Sequence, residues 1–525
     1  MSPLANLVGL ALACGAADVG GPLSAGEMAL AKRARSVSRA VARRAIASIR
    51  DGADPLGDEL LALRSPEDRR STGAFYTGSA ILEPMIAWAL EQRPARLIDP
   101  GCGSGRFSVA ALSRDRSLEI VAIDLDPLAT LMTRAALAAM RARKAHVLHA
   151  DYLAVDIPRV LGRTAFIGNP PYVRHHQLSR TTKARATMLG LSIGYRVSGL
   201  AGLHALFYLA TLAKHGVVGD VGSFVTSAEW LDVGYGSVVR DAFTNGLGGR
   251  SITVFDRASI PFDDAMTTAA ITTFVIGVKQ PFVRMAHVVS ASQRRTLALE
   301  KKGYGIERAA LQRASRWSPF LRGQAEETNG ETLGALFRVS RGQVTGSNGF
   351  FVLTREEARA RGIQEFCVPL VTSADEVFAS PGLVRDRPER LVGLEIPRDL
   401  DLRRHRALAA YVRTGEKRGV HQGYVASHRR PWYAVTFPRP PIIATYMARQ
   451  APVFARNPDR LGLINVAHGL YPRQPFNEAS LDRIVNVLNA TRESFVGRGR
   501  TYHGGLEKFE PREMEALPLV MPATA

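Results

Sequence analysis

From residue 95 onward the apolar positions fall in short runs rich in β-branched residues, separated by stretches of helix length. The runs cover residues 96–99, 119–124, 145–150, 165–168, 222–227, 252–256 and 270–278. Strands alternating with helices in this way predict an α/β sheet that is mostly parallel. Ligands of such a sheet sit at the carboxyl ends of its strands. From about Pro281 the alternation lapses, through a stretch containing Arg, Gln and Ser that runs to Asn329 and Gly330 and reads as the connection to a second domain. Ahead of the sheet, residues 31–50 carry Lys32, Arg33, Arg35, Arg39, Arg43, Arg44 and Arg50 with no acid, on a background of Ala, Ser, Val and Ile that suits a helix. A solvated helix face is favoured there over a nucleic-acid contact.

Composition adds a partner class and removes several others. The chain has 525 residues with ordinary globular proportions, 46% hydrophobic and 22% charged, enough for two or three domains that each bury a core. Its net charge of +20 favours a polyanion, most simply nucleic acid. Residues 1–280 carry +7 of that charge and residues 281–525 carry +13, so the second half is the more basic. Cys14, Cys102 and Cys367 lie far apart with no C-x-x-C pair, which argues against a disulfide framework and against a cysteine-rich zinc site. The expected compartment is the reducing cytoplasm. The apolar start at residues 4–17 has no basic leader and is broken by Gly9, Cys14 and Gly15, so neither a signal peptide nor a membrane span is expected.

Four consecutive strand ends carry candidate chemistry. Leu97-Ile98-Asp99-Pro100-Gly101-Cys102-Gly103-Ser104-Gly105 is a strand running into a glycine-dense turn and then a helix, where backbone can approach a small ligand and free N–H groups face it. An acid followed by G-x-G-x-G differs from the dinucleotide pattern G-x-G-x-x-G. The second strand ends at Asp124, placed to hold two ribose hydroxyls, and the third at Asp151-Tyr152, a carboxylate for an adenine amine and a ring for its face. Together these describe a pocket for an adenosine without phosphates, which S-adenosylmethionine fits better than NAD. The fourth strand delivers Asn169-Pro170-Pro171-Tyr172. Two prolines fix φ and remove two donors, so the Asn169 side-chain oxygen and the Pro170 carbonyl can both accept from one NH₂ group. An exocyclic ring amine is a poor nucleophile because its lone pair is delocalised. Holding both hydrogens draws the nitrogen toward tetrahedral geometry and localises that pair for direct attack on a methyl sulfonium, with Tyr172 stacking on the ring. A direct displacement of this kind calls for no metal.

These residues, in this order, resemble the gamma-class adenine-N6 DNA methyltransferases, the TaqI-like group of restriction-modification systems. Ser71-Thr72-Gly73-Ala74-Phe75-Tyr76-Thr77 is similar to that family's entry motif, which implies that Phe75, Tyr76 and Thr77 contact the methionine part of the cofactor. The segment 260–274 is similar to its late hairpin, which implies that Phe262 stacks on a flipped adenine opposite Tyr172. Gly202 and His204 stand where the family often has Asp and Tyr, and Ser227 where proline is common. These departures spare every residue assigned to methyl transfer.

The resemblance implies a Rossmann-like class I methyltransferase domain at residues 66–285 and a mixed α+β target-recognition domain at 331–525. An N-terminal helical extension would fill 1–65 and a connecting segment 286–330. The amine of an adenine is hidden in a duplex, so the base must be flipped out while the DNA is held. Arg341, Thr345 and Asn348, then Arg449 and Asn457, lie in blocks similar to the family's recognition region and are the expected DNA contacts. The alternatives are a methyltransferase for a glutamine amide in protein or a guanine amine in RNA, and a DNA-binding specificity protein with a degenerate methylase fold. No convincing paired-acid-plus-lysine cluster stands outside the methylase core, so a cognate restriction endonuclease would be a separate protein.

Overall fold

The computed structural model describes residues 3–64, 77–255, 268–290, 297–322, 331–448, 451–496, 498–502 and 506–519. The chain divides into two compact units, Met1–Glu326 and Glu327–Ala525. Among the described residues no helix is long and apolar enough to cross a membrane.

The first unit is organised by nine strands: β1 (Arg96–Pro100), β2 (Glu119–Asp124), β3 (Ala145–His149), β4 (Thr164–Gly168), β5 (Val221–Ser227), β6 (Gly249–Phe255), β7 (Ala269–Val275), β8 (Phe282–Val288) and β9 (Tyr304–Glu307). They form one sheet in the order β3-β2-β1-β4-β5-β7-β6-β8-β9. Strands β1 to β5 are parallel, with Ile98 opposite both Val121 and Phe166. Every residue of β1, β4, β5 and β7 is buried, as strands covered on both faces must be, and this is why they show no alternation of apolar and charged positions. The mostly parallel, Rossmann-like sheet expected from the sequence is therefore present. Strand β7 enters antiparallel between β5 and β6, a direction that apolar patterning does not encode.

The segment 286–330, expected to be a connector, contributes residues 286–288 and 304–307 to this sheet. Strand β8 pairs in parallel with β6, and β9 closes the edge against β8. Trp317, fully buried, packs its ring 5.9 Å from Trp230 and 6.1 Å from Phe243. The alternation lapses because β9 is a short edge strand with no buried residue, so it has no apolar face to reveal.

Among the described residues the N-terminal extension carries four helices, α1 (Pro3–Ala13), α2 (Ala25–Ala31), α3 (Arg39–Arg50) and α4 (Pro55–Ala62), and a fifth helix, Ser79–Glu91, follows before β1. On α3 the residues Ala42, Ala45 and Ile49 are buried while Arg39, Arg43 and Arg44 are exposed, the solvated face that the basic stretch suggested. The extension docks on the β2–β3 side of the sheet through Arg134, in the helix Pro127–Ala139. That guanidinium is buried with Glu27, Nε donating to its carboxylate at 2.8 Å. Its remaining donors reach the carbonyls of Val19 and Gly21 at 2.7 Å, Pro22 at 3.1 Å and Val147 at 3.0 Å. Burial by itself raises the Glu27 carboxyl, but the Ser24 amide and Arg134 bring it below its usual range. The chain at Gly20 also forms a parallel bridge to His146, covering the outer edge of β3.

The second unit mixes sheets and helices, as expected. In a five-stranded sheet, strands Phe337–Arg341, Ile442–Ala444, Phe454–Arg456 and His468–Pro472 share a core with the helix Glu478–Ala490. That helix contributes Leu481, Ile484, Val485 and Leu488, a spacing that lines one face. A separate core gathers Phe350, Phe351, Leu370 and Phe437 around Leu408, Tyr411 and Val412 of the helix Arg406–Lys417.

Candidate active site

The carboxyl ends of β1, β2, β3 and β4 bring together the residues singled out in the sequence. The turn after β1 is left-handed at all three glycines, with φ of 72° at Gly101, 58° at Gly103 and 88° at Gly105, a run that only glycine accepts without strain. Asp99, immediately ahead of it, is fully buried. Its Oδ2 accepts from the Ser108 hydroxyl at 2.8 Å, whereas Oδ1 has no hydrogen-bond partner among the described residues. Burial, and then the charge of Asp124, push this carboxyl up to about 7. A cationic or N–H-bearing ligand would reverse that shift. Asp124 ends β2 and accepts from the backbone amides of Gly103 and Asp126, each at 2.9 Å. Burial raises its carboxyl as well. A carboxylate accepting two amides retains lone pairs for two hydroxyls. An unsatisfied buried carboxylate oxygen, open space beyond Gly103 and a partly committed acid at the end of β2 fit S-adenosylmethionine.

Strand β4 ends at Gly168, where a Cβ would lie 2.9 Å from the Pro100 carbonyl; only glycine lets β1 and β4 approach so closely at their ends. Asn169 through Tyr172 therefore begin directly beside the glycine turn. A Cβ at Gly101 would stand 3.6 Å from Pro171 Cδ and 3.9 Å from the Asn169 carbonyl oxygen. The Asn169 amide is oriented by Thr77, whose Oγ1 accepts from Nδ2 at 3.0 Å. Thr77 is itself buried, so this orientation is held inside the protein. Pro170 is buried and Tyr172 half-buried, its hydroxyl pushed up in pKa by burial. His204 approaches Tyr172 edge-on, with ring centres 6.4 Å apart. Burial pulls its pKa down to about 4, so it stands there as a neutral ring. Ser227 is buried and caps the turn after β5, accepting from the Glu229 amide at 3.3 Å.

Two expectations on the cofactor side change. Tyr152 does not offer a free ring face: it is 3% exposed, lies 5.0 Å from Phe207 and 4.4 Å from His215, and bonds Thr211 Oγ1 at 2.8 Å. A large aromatic next to a strand end was open to core packing, and the core took it. Asp151 keeps its place at the third strand end, but Oδ1 accepts from the Leu153 amide at 2.9 Å and Oδ2 pairs with Arg185 of the helix Arg180–Ser192. Phe75, Tyr76 and Phe262 lie outside the described residues.

Residues that the sequence did not single out reach this corner from the N-terminal extension. Asp54 caps α4, accepting from the Gly57 amide at 2.9 Å. Its other oxygen accepts from the Ser104 hydroxyl at 2.5 Å and stands 3.7 Å from the Arg106 guanidinium. Arg64 pairs with Asp126, two residues beyond Asp124. Asp54-Pro55 is legible as a helix start, but its grip on the glycine turn, fifty residues away, is not.

In the second unit the expected DNA contacts divide. Asn457 is fully buried and serves the fold: Nδ2 donates to the carbonyls of Pro440 at 2.9 Å and Leu461 at 3.0 Å, and Oδ1 accepts from the Leu461 amide at 2.9 Å. Thr345 is also buried, at 2% exposure, and donates its hydroxyl to Asn348 Oδ1 at 2.6 Å. Neither is a surface contact; both are small polar residues that satisfy tight turns. Asn348 is exposed, with its oxygen held by Thr345. Arg341 is exposed and pairs with Glu510. Arg449 lies outside the described residues.

Residues 316–525 match the family model described as the C-terminal domain of the type II methyltransferase M.Eco57I, and residues 71–189 match the methyltransferase small domain. The type II methyltransferase M.XamI of Xanthomonas campestris pv. amaranthicola is 40% identical over 474 residues, 88% of this chain and 86% of that protein. M.AccI of Acinetobacter calcoaceticus, also a type II methyltransferase, is 23% identical over 86% of this chain and 85% of its own length. Among solved structures, the type IIL restriction-modification enzyme MmeI in complex with DNA shares the fold, with a TM-score of 0.56 at 13% identity over 95% of this chain and 77% of that one.

Proposed function

Since the chain belongs to the type II methyltransferases, the S-adenosylmethionine-dependent DNA-modifying enzymes of restriction-modification systems, we propose that the group it modifies is the N6 amine of an adenine turned out of duplex DNA. The observation that carries this reading is the Asn169 amide, locked by Thr77 and set directly against the glycine turn at Gly101. With Nδ2 spent on Thr77, the amide faces a second amine with its carbonyl oxygen. Asn169 Oδ1 and the Pro170 carbonyl would accept the two hydrogens of the adenine amine, localise its lone pair and hold the proton that must leave once the N–C bond has formed. When bound, S-adenosylmethionine supplies a methyl group on an electrophilic sulfonium. Asp99 and Gly101, Gly103 and Gly105 would hold its methionine end and Asp124 its ribose, while Asp151 would accept from its adenine amine in exchange for Arg185. Tyr172, with Phe262 opposite, would stack on the extruded base. The neutral His204 supports the Tyr172 ring without placing a charge beside the reacting amine. The same reading includes a separate restriction endonuclease of matching target specificity.

The reading is tested by sequencing, with modification detection, the DNA of cells that express the chain, beside radiolabelled methyl transfer to DNA, ribosomal RNA and protein in vitro. N6-methyladenine confined to one short DNA sequence is expected. Label entering RNA or protein instead, or methylated cytosine in DNA, would overturn it.

Thr77 separates the positioning role seen here from the cofactor contact that the family resemblance implies. Thr77→Val should lower methylation kcat about tenfold, the equivalent of one lost hydrogen bond. KM for S-adenosylmethionine should move less than about twofold, and Thr77→Ser should restore turnover. A raised KM at unchanged kcat would return Thr77 to the cofactor.

A further inference from the structure

The second unit contains a cleft of about 460 Å³ lined by Arg398, His428, Arg429, Arg430, Ala434 and Thr436, with no carboxylate among them. Several arginines of this unit are neutralised by acids, among them Arg341 by Glu510, Arg355 by Asp386, Arg385 by Asp459, Arg390 by Glu376, Arg439 by Glu395 and Arg456 by Glu478, while others, such as Arg406, Arg413 and Arg418, are not paired with an acid among the described residues. Among the described residues Arg398, Arg429 and Arg430 form no ion pair. Cations converging on one cleft repel one another, so the arrangement gains from an anion that enters it.

The surroundings say which anion. Arg403 and Arg404 pair with Asp401, but residues 406–430 contain six Lys and Arg against one acid, Glu416, so a basic stretch of chain leads into the cleft. Arg413, Lys417 and Arg418 are exposed along that tract. Tyr424 is 81% exposed, its ring 4.7 Å from that of His428. A run of cations along the chain suits a phosphodiester backbone better than an isolated ion. Arg429 ties the cleft to the turn expected to read the target. Its guanidinium donates to the carbonyls of Val344 at 3.0 Å and of Thr345 and Trp432 at 3.3 Å, and lies over the Phe351 ring at 5.9 Å. Cleft and Asn348 turn are thus parts of one packed body.

We propose that this cleft seats a backbone phosphate of the DNA duplex, with Arg398 and Arg430 as its exposed ligands and Arg429 as the strut that sets its distance from Asn348. The inference rests on duplex DNA being the substrate. A phosphate so held fixes register without reading sequence, and Asn348 is left beside it for a base edge.

The test measures duplex binding by fluorescence anisotropy across a salt series, for wild-type protein and for the double variants Arg398→Ala/Arg430→Ala and Arg398→Lys/Arg430→Lys. The alanine pair should weaken binding about 10- to 100-fold, equally for target and non-target duplexes, and lower the slope of log K against log salt by about 1. The lysine pair should recover most of the slope. The melting temperature and the affinity for S-adenosylhomocysteine should stay at wild-type values. An unchanged slope, or a loss confined to the target duplex, would overturn the phosphate seat. A lowered slope in a protein whose wild type does not methylate adenine would uphold the seat and overturn the adenine reading.

Discussion

Asn169→Ala should lower methylation kcat by about 10²- to 10³-fold while S-adenosylhomocysteine binds within about a factor of two of wild type. The magnitude is that of removing one preorganised polar group aimed at charge that develops only in the transition state. The ground-state adenine amine is nearly planar and asks little of its acceptors, so substrate affinity is not where the loss falls. Asn169 begins where β4 ends, with its amide already held by Thr77, so in the proposed reaction this amide would need no reorientation. Single-turnover methylation at saturating cofactor reads the effect. Turnover within tenfold of wild type would remove Asn169 from the chemistry, and a parallel loss of S-adenosylhomocysteine binding would move it to the cofactor pocket.

Glu27→Ala should destabilise the first unit by about 3–5 kcal/mol, the cost of stranding a buried charge whose partner has been removed. Glu27 and Arg134 have side-chain exposures of 0% and 1%, so water cannot take the place of the lost carboxylate. Four backbone carbonyls would still hold Arg134 by its N–H groups but could not neutralise it. Urea unfolding followed by circular dichroism measures the change. Glu27→Gln, which keeps a hydrogen-bonding side chain beside Arg134 but not the charge, should lose less than Glu27→Ala. A loss below about 1 kcal/mol for Glu27→Ala would mean that the extension is held by its apolar contacts alone.

The parts of the fold that proved legible are those where local sequence and burial agree. Strands β1, β4 and β5 are covered on both faces and stood out as short runs without alternation, and the places of Asp99, Asp124, Asp151 and Asn169 at the ends of β1 to β4 followed from the rule that parallel sheets bind ligands there. Tyr152 misled because an aromatic beside a strand end serves a core as readily as a ligand, and only the positions of Phe207 and His215 distinguish the two. Asn457 and Thr345 misled for a related reason, since polar residues in turns satisfy backbone groups before they serve a surface. Thr77, Asp54 and Arg185 act across 92, 50 and 34 residues of sequence, and contacts that long leave no local pattern to read.

The docking of the N-terminal helices also bears on how the protein is made. Glu27 leaves the ribosome 107 residues before Arg134, and Gly20 precedes its partner at His146 by a longer interval still. At about 5–20 residues per second of synthesis, the first helix, with its buried Leu7, Val8 and Ala11, waits roughly 5 to 20 s for the helix Pro127–Ala139 on which it packs. Slowing translation across residues 28 to 134 would lengthen that wait rather than assist folding.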